Sequence, residues 1–376
     1  MRPVWLLFLA FTLLSPLSFA GESEELQHIV DAVKQLQPTA IPDLMKKAEA
    51  GDTRAQFMLG LAYKHGSGVL ENTAEAFRWL ERAANAGFLL AQNELASMYF
   101  EGVGTPQNDQ EAVRWFRQAA EKGSPMGQFN LGLFYASGFG LPKDLTEAAK
   151  WYRKAADADL PEAEYYLANL YRHGSGVPQD QVEATRLLTK AAGAGYAEAQ
   201  TNLGLQFAEG QGAAKNCERA LFWLRKGAEQ GDPVGQNDLG SFYIQGYCVK
   251  EDPKEAFNWI SKAAQQDQPD AEAALAAMFG EGYGTAKDTQ KALEWYQRAA
   301  DRGSSRAQYN LAVMYESGSE LPRDFVTAYQ WVVLAQRGGL QNAENLKSKL
   351  ELLMTVDQLR TAKRRIADWQ SKHSRN

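Results

Sequence analysis

The chain has 376 residues, of which 45% are hydrophobic and 23% charged, and its formal net charge is −6 at pH 7. This composition is typical of a soluble, folded protein. The mildly acidic balance gives no general attraction to polyanions, so we expect no nucleic-acid partner.

Residues 1–20 resemble a secretory signal peptide, with Arg2 at the start, an apolar run over Val4–Leu14, and Ala20 before Gly21. The apolar run is about half the ~20 residues that a membrane-spanning helix needs, so no transmembrane segment is expected. The alternative is that these residues form the first helix of the fold. A signal peptide predicts a periplasmic or secreted protein.

Residues 21–54 are expected to form an N-terminal helical cap. Apolar residues on one side predict a helix over Glu24–Gln37, and Pro38 and Pro42 separate it from a second helix over Asp43–Ala50. A stacked repeat protein needs such a cap, because its end repeat would otherwise expose an apolar stacking face.

Residues 55–342 contain eight copies of one 36-residue unit, without insertion or deletion. Each copy begins with Ala or Gly, followed by Leu four residues later and Tyr or Phe after four more, which places these side chains on one helical face. A terminal Gly, such as Gly66, is typical of a helix C-cap, and the Asn or Asp that follows, such as Asn72, is typical of an N-cap. A second helix then carries Ala and, in seven copies, Trp. A fixed period of this length predicts an all-α solenoid of stacked, antiparallel helix pairs.

Residues 343–376 depart from the repeat and are expected to form a C-terminal helical cap. Thr355 and Gln358 have the spacing of a capping box, which predicts a last helix ending near Gln370. Four basic residues of that helix form either a solvated outer face or a weak contact for an anionic partner. They are Arg360, Lys363, Arg364 and Arg365.

The sequence contains two cysteines, Cys217 at the start of the second helix of copy five and Cys248 in the turn of copy six. They belong to the same edge of neighbouring copies, where two turns come within bridging reach. We therefore expect a disulfide, with two free thiols as the alternative.

The recurring pattern A-x-x-x-L-G-x-x-Y-x-x-G-x-G, then D or N, then A-x-x-W-x-x-x-A-A resembles the Sel1-like repeat, a relative of the tetratricopeptide repeat. The resemblance implies an α/α superhelical solenoid whose first helices line the concave side, and an adaptor that binds proteins or peptides. Similar exported bacterial proteins are associated with host-cell entry, host-protein binding and envelope signalling. Cysteine-rich relatives that bind penicillin-type compounds differ from this chain, so that activity is not expected here.

The sequence lacks the residue patterns that are typical of an enzyme, a metal site or a cofactor site. His65 and His173 hold the same place in copies one and four, three packed layers apart, too far to share a metal ion. The Gly-x-Gly turns lack the preceding strand and the Lys of a phosphate-binding loop. We therefore expect no catalytic residue, metal or cofactor.

One side of each first helix lies opposite the recurrent residues and forms the predicted partner-binding groove of copies one to four. This side is more apolar and aromatic than a solvated face requires, and such surfaces often bind partners. The alternative is that neighbouring first helices bury these residues against each other. The predicted groove residues are Phe57, Leu61, Lys64, Asn93, Phe100, Phe129, Leu133, Tyr165, Asn169 and Arg172.

These observations favour a non-catalytic scaffold or adaptor, exported to the bacterial envelope or secreted, that binds a protein or peptide partner. One alternative is an enzyme that acts on cell-wall material or a lactam. Another is a direct binder of glycan or anionic lipid through the basic final helix.

Overall fold

A computed structural model describes residues 22–319 and 321–373. The predicted signal peptide lies outside these residues. The described residues form α-helices, one short 3-10 turn at Pro38–Ala40 and connecting turns, and they contain no β-strand. The predicted fold class is confirmed: the chain is all-α, and consecutive helices pack as antiparallel pairs.

The chain divides into two compact units. Among the described residues, the first unit comprises 22–199 and 211–213, and the second comprises 200–210 and 214–373. The first unit contains α1 (Glu22–Lys34), α2 (Ile41–Glu49), α3 (Thr53–His65), α4 (Thr73–Asn85), α5 (Leu89–Glu101), α6 (Asp109–Glu121), α7 (Pro125–Ser137), α8 (Leu145–Asp157), α9 (Pro161–His173), α10 (Gln181–Gly193) and the start of α11 (Ala197–Glu209). The second contains the rest of α11, α12 (Cys217–Glu229), α13 (Pro233–Gln245), α14 (Pro253–Gln265), α15 (Pro269–Glu281), α16 (Thr289–Asp301), α17 (Ser305–Ser317), α18 (Phe325–Arg337), α19 (Ala343–Leu353) and α20 (Val356–His373).

The capping residues determine where the helices of each pair begin and end. Asn72 Oδ1 accepts a hydrogen bond from the Glu75 amide at 3.1 Å, which starts α4, and Gly66 ends α3 with φ of 68°. The predicted N-cap is confirmed at the start of every second helix from α4 to α18. Because these signals lie within a few residues of each boundary, all sixteen helices from α3 to α18 have 13 residues.

The two helices of a pair cross closely where the sequence places a small residue after the recurrent Leu. A Cβ atom added to Gly60 would lie 2.6 Å from Leu80 Cγ, closer than two carbon atoms can approach. Leu59 and Leu80 are fully buried at this crossing between α3 and α4. The two helices therefore cross closely at Gly60, which explains why a residue with low helix propensity is used there.

Buried glutamines join successive helix pairs. Gln92 of α5 is 1% exposed, and its Nε2 donates to the carbonyl of Ala84 at the end of α4, at 3.0 Å. The Ala84 carbonyl also accepts from the Gly87 amide at 3.0 Å, so the glutamine is a second donor to an oxygen at the end of α4. The same bond recurs from Gln56, Gln128, Gln236 and Gln308.

Helix α1 packs against α3. Ile29 and Val33 of α1 belong to the same buried apolar cluster as Phe57 and Leu61 of α3. The N-terminal helix therefore contributes to the core of the first unit.

The last two helices close the second unit. The Thr355 amide donates to Gln358 Oε1 at 2.9 Å, and the Gln358 amide donates to Thr355 Oγ1 at 3.3 Å, so the predicted capping box starts α20. Helix α20 packs against α18, where the rings of Trp331 and Trp369 meet edge to face with centroids 6.3 Å apart. Among the described residues, no helix is both long enough and apolar enough to cross a membrane.

The predicted disulfide is present between Cys217, the first residue of α12, and Cys248, in the turn after α13. Their Cα atoms are 4.9 Å apart, although 31 positions separate them in sequence. The bridge therefore joins the turn regions of two neighbouring helix pairs within the second unit.

Candidate functional site

Six of the ten predicted groove residues are buried, so the expectation of an open groove is wrong for them. Their exposed fractions lie between 0% and 7%. Phe100 of α5 contacts the rings of Phe134 and Phe139, with centroids 5.1 and 5.2 Å away, and Phe57 contacts Phe88 at 5.3 Å. Side chains from the next helix pair cover this face, which is the alternative that sequence analysis left open. The six are Phe57, Leu61, Asn93, Phe100, Phe129 and Leu133.

Polar members of the predicted groove also have structural partners. Asn93 Nδ2 donates to Ser124 Oγ at 2.9 Å, and Lys64 Nζ lies 2.5 Å from Glu94 Oε1. The side chains of Lys64 and Glu94 are only 17% and 8% exposed, so this ion pair is largely removed from water. Both contacts join one first helix to the following pair.

Helix α9 carries the other predicted groove residues. Tyr165, Asn169 and Arg172 are partly buried and reach the protein surface. The Arg172 carbonyl accepts hydrogen bonds from the side-chain amides of Gln179 and Gln181, at 2.8 and 2.9 Å. The face of α9 is therefore the accessible part of the predicted site within the first unit.

A run of aromatic rings crosses this part of the first unit. Tyr165 of α9 contacts Tyr166 at a centroid distance of 5.5 Å and Tyr196, the residue before α11, at 5.3 Å. Tyr166 in turn contacts Phe129 of α7 at 5.3 Å and Tyr152 of α8 at 5.7 Å. Tyr152 and Phe129 are buried in the core. The rings of Tyr165, Tyr166 and Tyr196 are partly exposed.

Two acidic residues lie beside these rings. Burial raises the pKa of the Glu162 carboxyl to about 7, against the effect of its own backbone amide, and the charges of Glu198 and Glu164 raise it further. Burial also raises the pKa of Tyr166 to about 12 and raises that of Tyr196, with Glu162 and Glu198 contributing to both shifts. The site is therefore a region of negative potential lined by aromatic rings.

Two buried acceptor atoms on α9 have neither a hydrogen-bond donor nor an ion-pair partner in the part of the chain that the structure describes. They are Glu162 Oε2 and Asn169 Oδ1. Native proteins satisfy most buried polar atoms, and leaving one unsatisfied costs about 1–3 kcal/mol. Their residues are seven positions apart, which is a rise of about 10 Å along one side of the helix. A ligand with hydrogen-bond donors would satisfy both.

Sequence analysis missed Glu162, Tyr166, Tyr196 and Glu198. Glu162 and Glu198 hold the same register at the starts of α9 and α11, one 36-residue period apart. Tyr196 occupies the N-cap position of α11, where a Ser or Asp would cap the helix. The repeated acidic residue in two successive copies, near an aromatic one, was the available signal. Among the described residues, no group of His, Cys, Asp and Glu side chains could hold a metal ion.

Comparison with known proteins identifies the repeated unit. The family described as "Sel1 repeat" matches residues 53–88, 89–124, 125–160, 161–196, 197–232, 233–268, 269–304 and 305–335. A search of curated proteins gave no match.

Two solved structures of similar proteins come from bacteria. A Sel1 repeat protein from Oxalobacter formigenes is 30% identical, with a TM-score of 0.58, over 91% of this chain and 98% of that chain. A protective antigen present in uropathogenic Escherichia coli strains, with an SLR fold, is also 30% identical, over 89% of this chain and 87% of its own, with a TM-score of 0.41. The shared fold is shown by the Oxalobacter structure.

Proposed function

Because this chain belongs to the Sel1 repeat family, we propose that it is a non-catalytic adaptor that binds a segment of a partner protein along the accessible face of α9 and the start of α11. Proteins of this family are generally protein-interaction scaffolds. The observation that carries the location is the pair of donor-less acceptors, Glu162 Oε2 and Asn169 Oδ1, beside partly exposed tyrosine rings. Tyrosine is a common anchor at protein interfaces.

The adaptor is proposed to act in the periplasm or outside the cell. The disulfide between Cys217 and Cys248 supports this location, because disulfides persist in oxidising compartments and are rare in the cytosol. The signal-peptide pattern of residues 1–20 supports it independently. In this location the adaptor is proposed to act in host interaction or in envelope signalling.

The test compares what three forms of the protein retain from a bacterial envelope extract. The double variant Tyr165→Ala/Asn169→Ala removes two accessible groups of α9. Tyr309→Ala is the matched control, because Tyr309 holds the register of Tyr165 in the eighth copy and is also partly buried. We expect one or more proteins retained by the wild type and by Tyr309→Ala to be lost from the double variant, at unchanged helicity. Identical sets from all three forms would contradict the proposed site.

One observation favours a second candidate function, contact with an anionic lipid surface. At the corner between α19 and α20, Leu352 is 88% exposed and Val356 is 73% exposed, beside the half-exposed Leu353. Arg360 and Lys363 follow on exposed positions of α20. Apolar side chains next to basic ones suit the boundary between acyl chains and anionic headgroups.

This second function is tested with vesicles. The wild type is expected to sediment with phosphatidylglycerol vesicles, less so in high salt, and not with phosphatidylcholine vesicles. The variant Leu352→Ser/Val356→Ser, and a chain truncated after Leu353, should both lose this binding. Equal sedimentation of the wild type with both lipids would contradict it.

A further inference from the structure

The face of α9 combines negative charge, aromatic rings and unsatisfied acceptors. Glu162, Tyr165, Tyr166 and Asn169 are spaced by three, four and seven residues, which places them along one side of the helix. Tyr196 extends this face by its contact with Tyr165, 5.3 Å between centroids. These side chains come from α9 and from the residue before α11, and both belong to the first unit.

The orphaned carboxylate oxygen indicates what kind of ligand fits. Glu162 is partly buried, yet its Oε2 is enclosed by protein atoms and accepts no hydrogen bond. An enclosed carboxylate without a donor or a cation is costly. Tyrosine ring faces attract cations as well, by about 0.5–2 kcal/mol. The negative charge and the unsatisfied acceptor atoms of this face therefore both favour the same ligand, a cation that carries N–H groups.

We infer that this face takes the ammonium or guanidinium group of a lysine or arginine side chain from a partner segment, held between Glu162 and the rings of Tyr165 and Tyr196. The inference rests on the proposed adaptor function, since it names the chemistry of the segment bound at the same face. A quaternary ammonium has no N–H group, so it cannot satisfy Oε2 or Asn169 Oδ1. Because Oε2 is enclosed, the cation reaches it when the partly exposed ring of Tyr165 or Tyr196 turns aside, and it then lies between the carboxylate and the two rings.

Two cationic side chains of α10 near this face form ion pairs with other carboxylates. Lys190 of α10 lies 2.7 Å from Glu164 and 2.6 Å from Asp159. Arg186 of the same helix forms two hydrogen bonds with Glu183, of 2.7 and 2.8 Å. An incoming lysine or arginine therefore meets Glu162 without having to replace either of these ion pairs.

Binding of a cation is coupled to the ionisation of Glu162. The carboxyl has a pKa of about 7 in the free protein, so it is roughly 10% ionised at pH 6 and 90% ionised at pH 8. The cation binds the ionised form, so affinity should rise about tenfold between these pH values. Tyr165, Tyr166, Tyr196 and Tyr152 face the same region, and the raised pKa values of Tyr166, Tyr196 and Tyr152 keep those hydroxyls protonated at this pH.

Three other acidic residues lie around the site. Glu198 faces Glu162 from the start of α11 and adds negative charge. Glu164 lies on α9 but pairs with Lys190, and Asp159 in the preceding turn pairs with the same lysine. Replacing Glu198 by Gln should lower the pKa of Glu162 and shift the pH dependence of binding to lower pH.

The experiment titrates the whole protein with three probes, using ring-labelled tyrosine and NMR shifts as the readout. The probes are the peptide acetyl-Gly-Gly-Lys-Gly-Gly-amide, the same peptide with norleucine for lysine, and tetramethylammonium chloride. We expect saturable shifts of the Tyr165 and Tyr196 rings with the lysine peptide. Norleucine removes the charge and tetramethylammonium removes the N–H donors, so both should bind at least tenfold more weakly.

Variants test the residue assignment. Glu162→Gln should lower the affinity for the lysine peptide at pH 8 about tenfold or more and remove its pH dependence. Asp270→Asn is the matched control, because Asp270 holds the same register at the start of α15 and is exposed, and it should change neither property. Equal binding of lysine and norleucine peptides, or unchanged binding by Glu162→Gln, would overturn the inference.

Failure of this inference can be told apart from failure of the adaptor function. A partner protein that is lost from Tyr165→Ala/Asn169→Ala while the lysine peptide does not bind would support the adaptor and overturn the cation site. Binding of the lysine peptide, with no partner dependent on α9, would support the cation site as a ligand site and overturn the adaptor role.

Discussion

Lys190 Nζ lies 2.7 Å from Glu164 Oε1 and 3.3 Å from the carbonyl oxygen of Ala156. Glu164 stands in the register where other helices have a buried Gln whose amide donates to the corresponding carbonyl, as Gln92 does to Ala84. A carboxylate cannot donate, so the lysine ammonium supplies the missing N–H group and neutralises the buried charge. The hydrogen bond between successive helix pairs is therefore kept, with a lysine ammonium as the donor in place of a glutamine amide.

Removing this lysine should destabilise the protein, and a second substitution should restore it. Lys190→Met leaves Glu164, whose side chain is 1% exposed, without a cation, and the expected loss is about 2 kcal/mol in the free energy of unfolding. The loss is smaller than for a fully buried pair because Lys190 is 42% exposed. Lys190→Met/Glu164→Gln recreates the glutamine bond and should recover most of it in urea unfolding. Equal stability of the single and double variants would contradict this explanation.

The pH dependence of stability should reveal Glu162. Its pKa is about 7 in the folded protein against 4.5 unfolded, so the folded state holds the proton more tightly. Stability from this group is therefore full below pH 4.5 and falls by roughly 3 kcal/mol as the pH rises through 7. Glu162→Gln cannot ionise, so its advantage over the wild type should grow between pH 5 and pH 8. Urea unfolding at several pH values measures the difference, and parallel curves for the two proteins would refute it.

Loss of the disulfide should weaken the second unit. Cys217→Ser/Cys248→Ser frees a loop of 31 residues in the unfolded chain, which costs roughly 2–4 kcal/mol. A reductant should lower the free energy of unfolding of the wild type by a similar amount and leave that of the double variant unchanged. A thiol titration of the unreduced wild type that found two reactive sulfurs would contradict the bridge.

Replacing a recurrent Trp by Ala should lower the stability of the protein by an amount that depends on how deeply that Trp is buried. Trp115 is 4% exposed, and Trp115→Ala should lose about 3–5 kcal/mol of stability. Trp259 is partly exposed, with the Lys262 ammonium 4.1 Å from its ring centroid, so Trp259→Ala should lose clearly less. Thermal unfolding of both variants measures this order. A larger loss for Trp259→Ala would show that burial does not set the cost.

The sequence predicts the helices well because their signals are local. Asn72 and Gly66 act on hydrogen bonds within four residues, so their roles are readable without knowing the fold. A helical wheel places Phe100 opposite its own helix partner, but it contains no information on the next pair. The rings that bury Phe100 belong to Phe134 and Phe139, and their approach depends on the spacing and rotation between successive pairs.

The candidate site was only partly predictable for the same reason. Tyr165 and Asn169 lie on the predicted side of α9, and they stay accessible. The negative charge beside them depends on Glu162 and Glu198, which are 36 positions apart and interact only because α9 and α11 are successive first helices. The pattern of one helix therefore cannot show such contacts, which form between residues that are one 36-residue repeat apart.

The bond between Cys217 and Cys248 also affects how the chain responds to force. A solenoid pulled from its ends would unravel pair by pair, but the residues between these two sulfurs, 31 positions apart, cannot add to the extended length. At about 3.3–3.6 Å per residue, roughly 100 Å of contour stays locked until the bond is reduced. Single-molecule stretching with and without reductant would show this hidden length, so the oxidised protein has a built-in limit to its extension.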